Sequence, residues 1–208
     1  MQVIQLKKNF WDRYAGLYNR FMRKDKDAYE QLYALITPAV TGKTVLELAT
    51  GTGLIAKNIA QTAQTVEAAD ASPEMIKEAQ KGCNPKNLHF SVQDMFHLPY
   101  ADGSFDAVIT ANALHIVPNP EKALCEIRRV LKDDGIFIAP TFTHAENSAG
   151  GKIRAFFIKL AGLPVHSEWT SKEYIDFLTE NGWAVQKSTV LKASFPLTYA
   201  QCIKGGKQ

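Results

Sequence analysis

Short apolar runs alternate with helix-like segments between residues 43 and 141, and this alternation constrains the fold more than any other feature. The runs cover residues 44–49, 65–70, 88–92, 105–110 and 135–139. Each has the length of a strand that is buried in a parallel sheet. Strands that alternate with helices predict a parallel sheet wound by right-handed crossovers, and therefore the α/β class.

The segments between these runs carry the signals of helix ends. Ser72 stands directly before Pro73, which is the arrangement of an N-cap followed by proline in the first helical turn. Pro120 begins another segment, in which apolar residues recur at three- and four-residue steps. An Asp-Asp-Gly turn at residues 133–135 then leads into the next strand.

The flanks of this core are patterned differently. Before it, aromatic and leucine side chains recur at helical spacing over residues 10–21, and a second helix is expected over residues 28–36. After it, the spacing of apolar residues predicts helices over residues 153–160 and 171–180. These helices lie outside the strand–helix alternation of the core.

Two strand-like runs follow at residues 183–191 and 194–203. Only Lys192 and Ala193 link them, which leaves no room for a crossover helix. We therefore expect the two runs to pair antiparallel. Together with the five core runs, they predict a sheet of seven strands that is mostly parallel and has helices on both faces.

Composition and charge exclude several classes of function. The net charge of +3 and the scattered lysines do not form the basic stripe of a nucleic-acid-binding protein. Residues 1–10 lack the apolar core of a signal peptide, and no run approaches the roughly 18 apolar residues of a membrane span. Cys83, Cys125 and Cys202 lie far apart, which indicates a reducing compartment and no zinc site. We expect a cytoplasmic protein without a metal.

The loop after the first strand is the strongest single motif. It reads Glu47-Leu48-Ala49-Thr50-Gly51-Thr52-Gly53 and leads into a helix. Gly51 and Gly53 allow a tight turn and a close approach of the backbone to a ligand. Exposed N–H groups at the helix start favour an anionic group. The spacing Gly51-x-Gly53-x-x-Ala56 also satisfies the dinucleotide fingerprint, so this loop alone leaves the ligand open.

Acidic residues beside this loop separate the two possibilities. Asp70 ends the second strand, where a carboxylate can accept hydrogen bonds from both hydroxyls of a ribose. Asp94 follows the third strand, where it can accept a bond from an adenine amino group, with Met95 and Phe96 against the ring face. Glu47 suits a ligand with a cationic end and would repel a pyrophosphate. The three acids favour a cationic nucleoside ligand.

At this point the sequence resembles a known family. The matching stretches are Glu47-x-Ala49-x-Gly51-x-Gly53, Asp70, Gln93-Asp94, Leu98-Pro99-Tyr100-x-Asp102-x-Ser104-Phe105-Asp106, and the block from Ala113 to Gly135 that contains Glu126-x-x-Arg129. They resemble the class I S-adenosylmethionine-dependent methyltransferases, particularly the ubiquinone/menaquinone-biosynthesis branch that acts on small molecules. The resemblance covers residues 43–140 well and the flanks loosely. It implies a Rossmann-like sheet of seven strands.

The resemblance also implies the ligands and their contacts. S-adenosylmethionine would be the cofactor, S-adenosylhomocysteine its product, and a small molecule the methyl acceptor. Glu47 would lie near the methionyl amino group, while the backbone of Gly51 and Gly53 would line the methionyl and ribose moieties. The other implied contacts are Asp70 with the ribose hydroxyls, Ala71 and Met75 beside the adenine, Asp94 and the Met95 backbone at the adenine edge, and Thr110, Ala111 and His115 toward the sulfonium and the acceptor.

One position in the cofactor loop departs from the family pattern. The family often has glycine where this chain has Ala49. Alanine fits there if the backbone is not left-handed, because a left-handed conformation brings Cβ too close to the following carbonyl oxygen.

The aromatic helix of residues 10–21 is a candidate lid. Tyr14 and Tyr18 lie one turn apart, and their rings and hydroxyls would suit a sulfonium. Alternatively, they and Trp11 only pack a terminal helix onto the core. The single domain of residues 1–208 is then divided into a helical lid (1–40), a cofactor-binding core (43–141), and substrate-side helices with the closing strands (142–208).

His115 and His144 are the candidate catalytic residues. Each follows a strand of the core, so either side chain can take a proton from an acceptor. His166 is a weaker candidate for the same role. The alternative interpretation is that each histidine is a polar residue of the surface or pocket wall.

Two other functions remain open from the sequence. An NAD(P)-dependent oxidoreductase would share the glycine loop, but Glu47 disfavours its pyrophosphate and residues 110–120 contain no Tyr-x-x-x-Lys pair. A non-catalytic protein that binds S-adenosylmethionine would keep the same acidic residues. The sequence does not distinguish a monomer from a homodimer.

Overall fold

The structure is a computed structural model that describes residues 11–13, 15–16, 22–144 and 166–206. Its eight strands are β1 (Thr44–Leu48), β2 (Thr65–Asp70), β3 (Leu88–Val92), β4 (Phe105–Thr110), β5 (Leu131–Ile138), β6 (Thr141–Phe142), β7 (Trp183–Leu191) and β8 (Leu197–Lys204). A short 3₁₀ helix (Arg23–Asp25) precedes the helices α1 (Lys26–Val40), α2 (Leu54–Ile59), α3 (Pro73–Ala79), α4 (Pro120–Val130) and α5 (Ser171–Glu180). Residues 11–13 and 15–16 are also helical.

The strands form one sheet in the order β3-β2-β1-β4-β5-β8, with β7 at the far edge on β8. β1 to β5 pair in parallel, and β8 is antiparallel to both β5 and β7. The short β6 continues β5 in the same antiparallel register against β8, so the sheet has seven rows of strands. The predicted α/β class and mostly parallel sheet are confirmed.

The order of the strands fixes where a ligand can enter. β1 lies between β2 and β4, and the chain order reverses between β1 and β4. In open parallel sheets, ligands bind beyond the carboxyl ends of the strands at such a reversal. The loops after β1, β2, β3 and β4 meet at this edge, and they carry most of the residues singled out in the sequence.

Helices cover both faces of the sheet. On one face, α4 and α5 bury apolar side chains against residues such as Leu46 and Val108. On the other face, α1 and α2 pack against Val45 and Ile109. Neighbouring residues of β1 and β4 thus point to opposite cores, as the two-residue repeat of a strand requires.

Several helix ends have the expected chemistry. The Ser72 side chain accepts a hydrogen bond from the Met75 N–H at 3.1 Å, and Pro73 opens α3. Thr170 and Glu173 form a reciprocal capping box at the start of α5. The bounds predicted for α5 are confirmed. The helix predicted over residues 153–160 lies outside the described residues.

The predicted start of the last strand is wrong. β8 begins at Leu197, so residues 192–196 link it to β7 instead of a two-residue turn. The link is held by other elements, because the Asp25 carboxylate accepts the Ser194 N–H at 2.5 Å and the Pro196 carbonyl accepts the Thr143 N–H at 2.8 Å. The antiparallel pairing itself is confirmed.

In the part of the chain that the structure describes, no helix combines the length and the apolar character needed to cross a membrane.

The backbone at Ala49 is left-handed, with φ of 55°. This ends β1 at Leu48, one residue before the predicted end, because a left-handed residue cannot continue a strand. The conformation disfavours a residue with a Cβ atom by roughly 1–2 kcal/mol. Ala49 is therefore a strained position of the cofactor loop.

We predict that Ala49→Gly raises the free energy of unfolding. Relief of the left-handed strain exceeds the entropy that glycine adds to the unfolded chain, so we expect a gain of about 0.5–1 kcal/mol in urea denaturation. Ala69→Gly is the matched control, since Ala69 lies within the regular strand β2. That variant should lose stability. Equal losses in both variants would contradict the strain at Ala49.

Candidate functional site

A cavity of about 450 Å³ lies beyond the carboxyl ends of the parallel strands. Its walls come from the loops after β1 to β4, from α3, and from Trp11 of the N-terminal helix. Eight of the predicted site residues line it: Ala49, Gly51, Asp70, Ala71, Met75, Asp94, Met95 and Ala111. The cavity thus occupies the place that the reversal of strand order predicts.

Asp70 joins two loops at the floor of this cavity. Its Oδ2 atom accepts the Gly51 N–H at 2.8 Å, and its Oδ1 atom accepts the Ser72 N–H at 2.9 Å. Desolvation raises the pKa of the Asp70 carboxyl, while these backbone bonds lower it. Each carboxylate oxygen has a second lone pair, so Asp70 can still accept hydrogen bonds from a ligand.

Glu47 points into the loop and does not line the cavity. Its Oε2 atom accepts the Thr50 hydroxyl at 2.8 Å, and the Ala56 N–H bonds to the same carboxyl group. Only 2% of the Glu47 side chain is exposed, and desolvation raises its pKa to about 8. In the free protein at neutral pH this carboxyl is therefore mostly protonated.

The two glycines of the loop have different roles. Gly51 has φ of 57° and lines the cavity. Gly53 is the N-cap of α2, with φ of 77°, and a Cβ atom there would lie 2.9 Å from the Phe90 ring. Gly53 therefore allows α2 to approach β3 closely, and it stands outside the cavity wall.

The turn after β3 forms one wall of the cavity. Asp94 accepts the Phe96 N–H on its side chain at 3.0 Å and the His97 N–H on its backbone carbonyl at 3.0 Å. Asp94 is exposed, whereas Met95 beside it is buried. The wall therefore presents a carboxylate next to apolar surface.

The carboxyl end of β4 contains a residue that the sequence reasoning missed. Asn112 has φ of 53°, and it lines the cavity next to Ala111. Its side chain donates to the Tyr29 hydroxyl at 3.1 Å and accepts the Phe142 N–H at 3.1 Å. Asn112 thus bridges α1 and β6 where β4 and β5 separate. Asn112 lies two residues after the end of β4, and this position in the sequence could have identified it as a candidate site residue.

Thr110 is placed just outside the cavity wall. It ends β4, pairs with Leu48, and is 1% exposed. Its hydroxyl has no hydrogen-bond partner in the portion of the chain that is described. The predicted contact of this side chain with a ligand stays a prediction.

His115 and His144 are close enough to interact electrostatically, and neither lines the cavity. Nδ1 of His115 lies 2.8 Å from the Thr141 hydroxyl oxygen. Desolvation, with a smaller contribution from His144, lowers the pKa of His115 to about 4. His166 donates its backbone N–H to the His115 carbonyl oxygen at 2.8 Å. His115 is therefore neutral at physiological pH.

The N-terminal helix reaches the cavity through Trp11. Asp12, the next residue, accepts a hydrogen bond from the Ser72 hydroxyl at the start of α3. Tyr14 and Tyr18, the predicted lid residues, lie outside the described part of the chain. Among the described residues, no group of three histidine, cysteine or acidic side chains is arranged to hold a metal.

The apolar part of the wall extends from the β4 loop. Its residues are Ala113, Ile116, Val117 and Pro118, and Phe96 from the turn after β3 lines the same cavity. In the sequence, this stretch belongs only to the block from Ala113 to Gly135 that resembles the family. The segment 111–119 is irregular, so it has neither the helical nor the strand periodicity that could have indicated its position in the fold.

Comparisons with known proteins agree with this geometry. Residues 46–139 match the family model described as "Methyltransferase domain". A demethylmenaquinone methyltransferase of Thermobifida fusca is 31% identical over 169 residues, which cover 79% of this chain and 69% of that protein. One from Renibacterium salmoninarum is 38% identical over 106 residues, which cover 51% of this chain and 44% of that protein.

A solved structure supports the same assignment. A complex of DhpI with S-adenosylhomocysteine superimposes with a TM-score of 0.76 and 26% identity, covering 98% of both chains. The sheet order, the cavity at its reversal and the relatives therefore agree. The chain belongs to the class I S-adenosylmethionine-dependent methyltransferases of the menaquinone/ubiquinone type, and S-adenosylmethionine is its cofactor.

Proposed function

We propose that the chain transfers the methyl group of S-adenosylmethionine to a naphthoquinone-type acceptor. The relatives named demethylmenaquinone methyltransferases support this acceptor class. The observation that carries the donor half of the proposal is the cavity at the strand reversal, with Asp70 and Asp94 on its walls. The apolar stretch 116–118 supports an acceptor with a large apolar surface.

The chemistry of the cavity fits the cofactor. Asp70 has free lone pairs for ribose hydroxyls, and Asp94 stands beside apolar Met95 and Met75 where an adenine would need both. The volume of about 450 Å³ falls in the range of small-molecule and cofactor pockets. These contacts are the roles we assign to the predicted cofactor residues.

The cofactor supplies a methyl group that is already activated on a sulfonium. The protein therefore needs to align an acceptor atom with the methyl–sulfur bond and to exclude water. We assign the alignment to the β4 loop, where Asn112 fixes the backbone between α1 and β6. We assign the exclusion of water to the N-terminal helix, because Trp11 lines the cavity and Asp12 bonds to Ser72.

The cytoplasm is the compartment we propose. Cys83, Cys125 and Cys202 are all unpaired, and two of them are exposed. Exposed free thiols are typical of proteins from reducing compartments. The oligomeric state stays open between a monomer and a homodimer.

Calorimetry tests the cofactor assignment. We expect S-adenosylhomocysteine to bind and NADH not to bind. Asp70→Asn places an amide NH₂ group against the N–H of either Gly51 or Ser72, so one of these two hydrogen bonds is lost. We expect the binding free energy of S-adenosylhomocysteine to weaken by about 2 kcal/mol, which is roughly 30-fold in Kd. Asp106→Asn is the control, since it removes a carboxylate at the opposite end of β4.

The assay for methyl transfer uses labelled S-adenosylmethionine and a reduced demethylmenaquinone analogue. Label in the quinone product supports the proposed acceptor. Binding of S-adenosylhomocysteine without transfer to quinol, phenol, amine or thiol acceptors would indicate a non-catalytic binding protein. Binding of NADH alone would overturn the cofactor assignment.

We expect Glu47 to help bind the cofactor while it lowers the free energy of unfolding at neutral pH. Its pKa is 4.5 for an unperturbed side chain and about 8 in the fold. The stabilisation of the protonated form is fully present below pH 4.5 and is lost as the pH rises through 8. At pH 7 the free energy of unfolding is therefore lower by about 3 kcal/mol than it is below pH 4.5.

Glu47→Gln removes this titration. We predict that the variant gains stability relative to the wild type between pH 5 and pH 8 in urea denaturation, while its affinity for S-adenosylhomocysteine falls at least several-fold. Parallel pH profiles for the two proteins would contradict the raised pKa. Unchanged affinity would contradict the proposed interaction of Glu47 with the methionyl amino group.

We propose His115 as the general base for the acceptor, in preference to His144. Burial lowers the pKa of His115 to about 4, so its ring is unprotonated throughout the neutral range but is a weaker base than an ordinary histidine. His115→Asn should lower kcat by about 10²–10³ with little change in cofactor affinity. His89→Asn, on the exposed part of β3, is the control. Wild-type kcat should stay level from pH 5 to 8, and a half-maximal rate near pH 6.5 would argue against His115.

A further inference from the structure

The Arg129 side chain makes five hydrogen bonds beside the turn that lines the cavity. Nε and Nη2 bond to the two Glu126 carboxylate oxygens, each at 2.9 Å. Nη2 also donates to the Leu98 carbonyl at 2.9 Å, and Nη1 donates to the Tyr100 carbonyl at 2.7 Å and to Asp102 Oδ1 at 2.9 Å. A guanidinium has five N–H donors, so all of them are used.

Glu126 closes the same network. Its Oε2 atom also accepts the Leu98 N–H at 2.9 Å, so both backbone groups of Leu98 bind to this one pair of side chains. The Arg129 guanidinium lowers the pKa of Glu126 to about 2, so the pair is ionised at every pH at which the protein functions. The loop of residues 98–102 is therefore held by α4.

This loop directly continues the cavity wall. Residues 94–97 line the cavity, and Leu98 is the next residue of the chain. The N–H groups of Phe96 and His97 bond to Asp94, while that of Leu98 bonds to Glu126. Since β3 is at the edge of the sheet, the turn after it has a neighbouring strand on one side only. The network around Arg129 supplies support at the other end of the turn.

Arg129 itself does not line the cavity. From this geometry we propose that Arg129 is a positioning residue for the cofactor, acting through the loop 98–102 to fix the wall of residues 94–97. The proposal rests on the cofactor site proposed above. It assigns a functional consequence to the Glu126-x-x-Arg129 motif, which otherwise is only a salt bridge on a helix surface.

Arg129→Lys tests the proposal, because lysine keeps the charge but has three donors instead of five. We expect the Kd for S-adenosylhomocysteine to rise about 10-fold or more, with kcat at saturating cofactor and acceptor changed less than twofold. Hydrogen exchange of the amides in residues 94–102 should accelerate at least 10-fold, while exchange in β1, β2 and β4 stays unchanged.

Arg128→Lys is the matched control on the same helix. Arg128 donates to the Gly182 carbonyl and lies over the Trp183 ring, 5.0 Å from its centroid, away from the cavity. This variant should leave the Kd within twofold and should accelerate exchange only around residues 181–183. Asp102→Ala removes one of the five bonds at an exposed carboxylate, so it should shift the Kd in the same direction by a smaller factor.

The outcomes separate the two proposals. Faster exchange over residues 94–102 with an unchanged Kd would overturn the positioning role. Faster exchange throughout the sheet would make Arg129 a general determinant of stability, which also overturns it. If wild-type protein failed to bind S-adenosylhomocysteine, the cofactor assignment would fail, while the exchange measurement would still decide whether Arg129 orders the wall.

Discussion

The two hydrogen bonds that Asp70 accepts from Gly51 and Ser72 are the interaction on which the rest of the site depends. They join the loop after β1 to the loop after β2, and the Thr50 N–H adds a bond to the Ala69 carbonyl at 3.0 Å. These hydrogen bonds hold the backbone between Leu48 and the start of α2 in place. A carboxylate at this strand end therefore organises the protein before it contacts any ligand.

Backbone strain is concentrated at the same edge of the sheet. Among the described residues, Ala49 and Asn112 are the non-glycine positions with positive φ, and both line the cavity. Such conformations persist only where surrounding contacts determine them. Asp70 fixes the first through its loop, and Tyr29 with Phe142 fixes the second through hydrogen bonds to the Asn112 side chain. Strain and ligand cavity therefore coincide.

The sequence predicts the parallel core well, because buried strands leave a continuous apolar signal. The bounds of β2, β3 and β4 agree with the structure to the residue, and Asp70 and Asp94 follow from the ends of these strands. The contacts of Asn112 and Arg129 gave no such signal, since they join residues that lie 27 to 83 positions apart. The start of β8 was missed for the same reason, because Asp25 holds Ser194.

The two ends of the cavity differ in how they are built, and this explains why the donor is easier to identify than the acceptor. The end to which we assign the cofactor has strand-end carboxylates and backbone N–H groups, whose positions follow from the order of the sheet. The other end is lined by side chains of the irregular segment 111–118, whereas the neutral His115 does not line the cavity. A sheet imposes no pattern on such residues. The shape of this end can therefore vary without disturbing the hydrogen bonds that join the loops after β1 and β2.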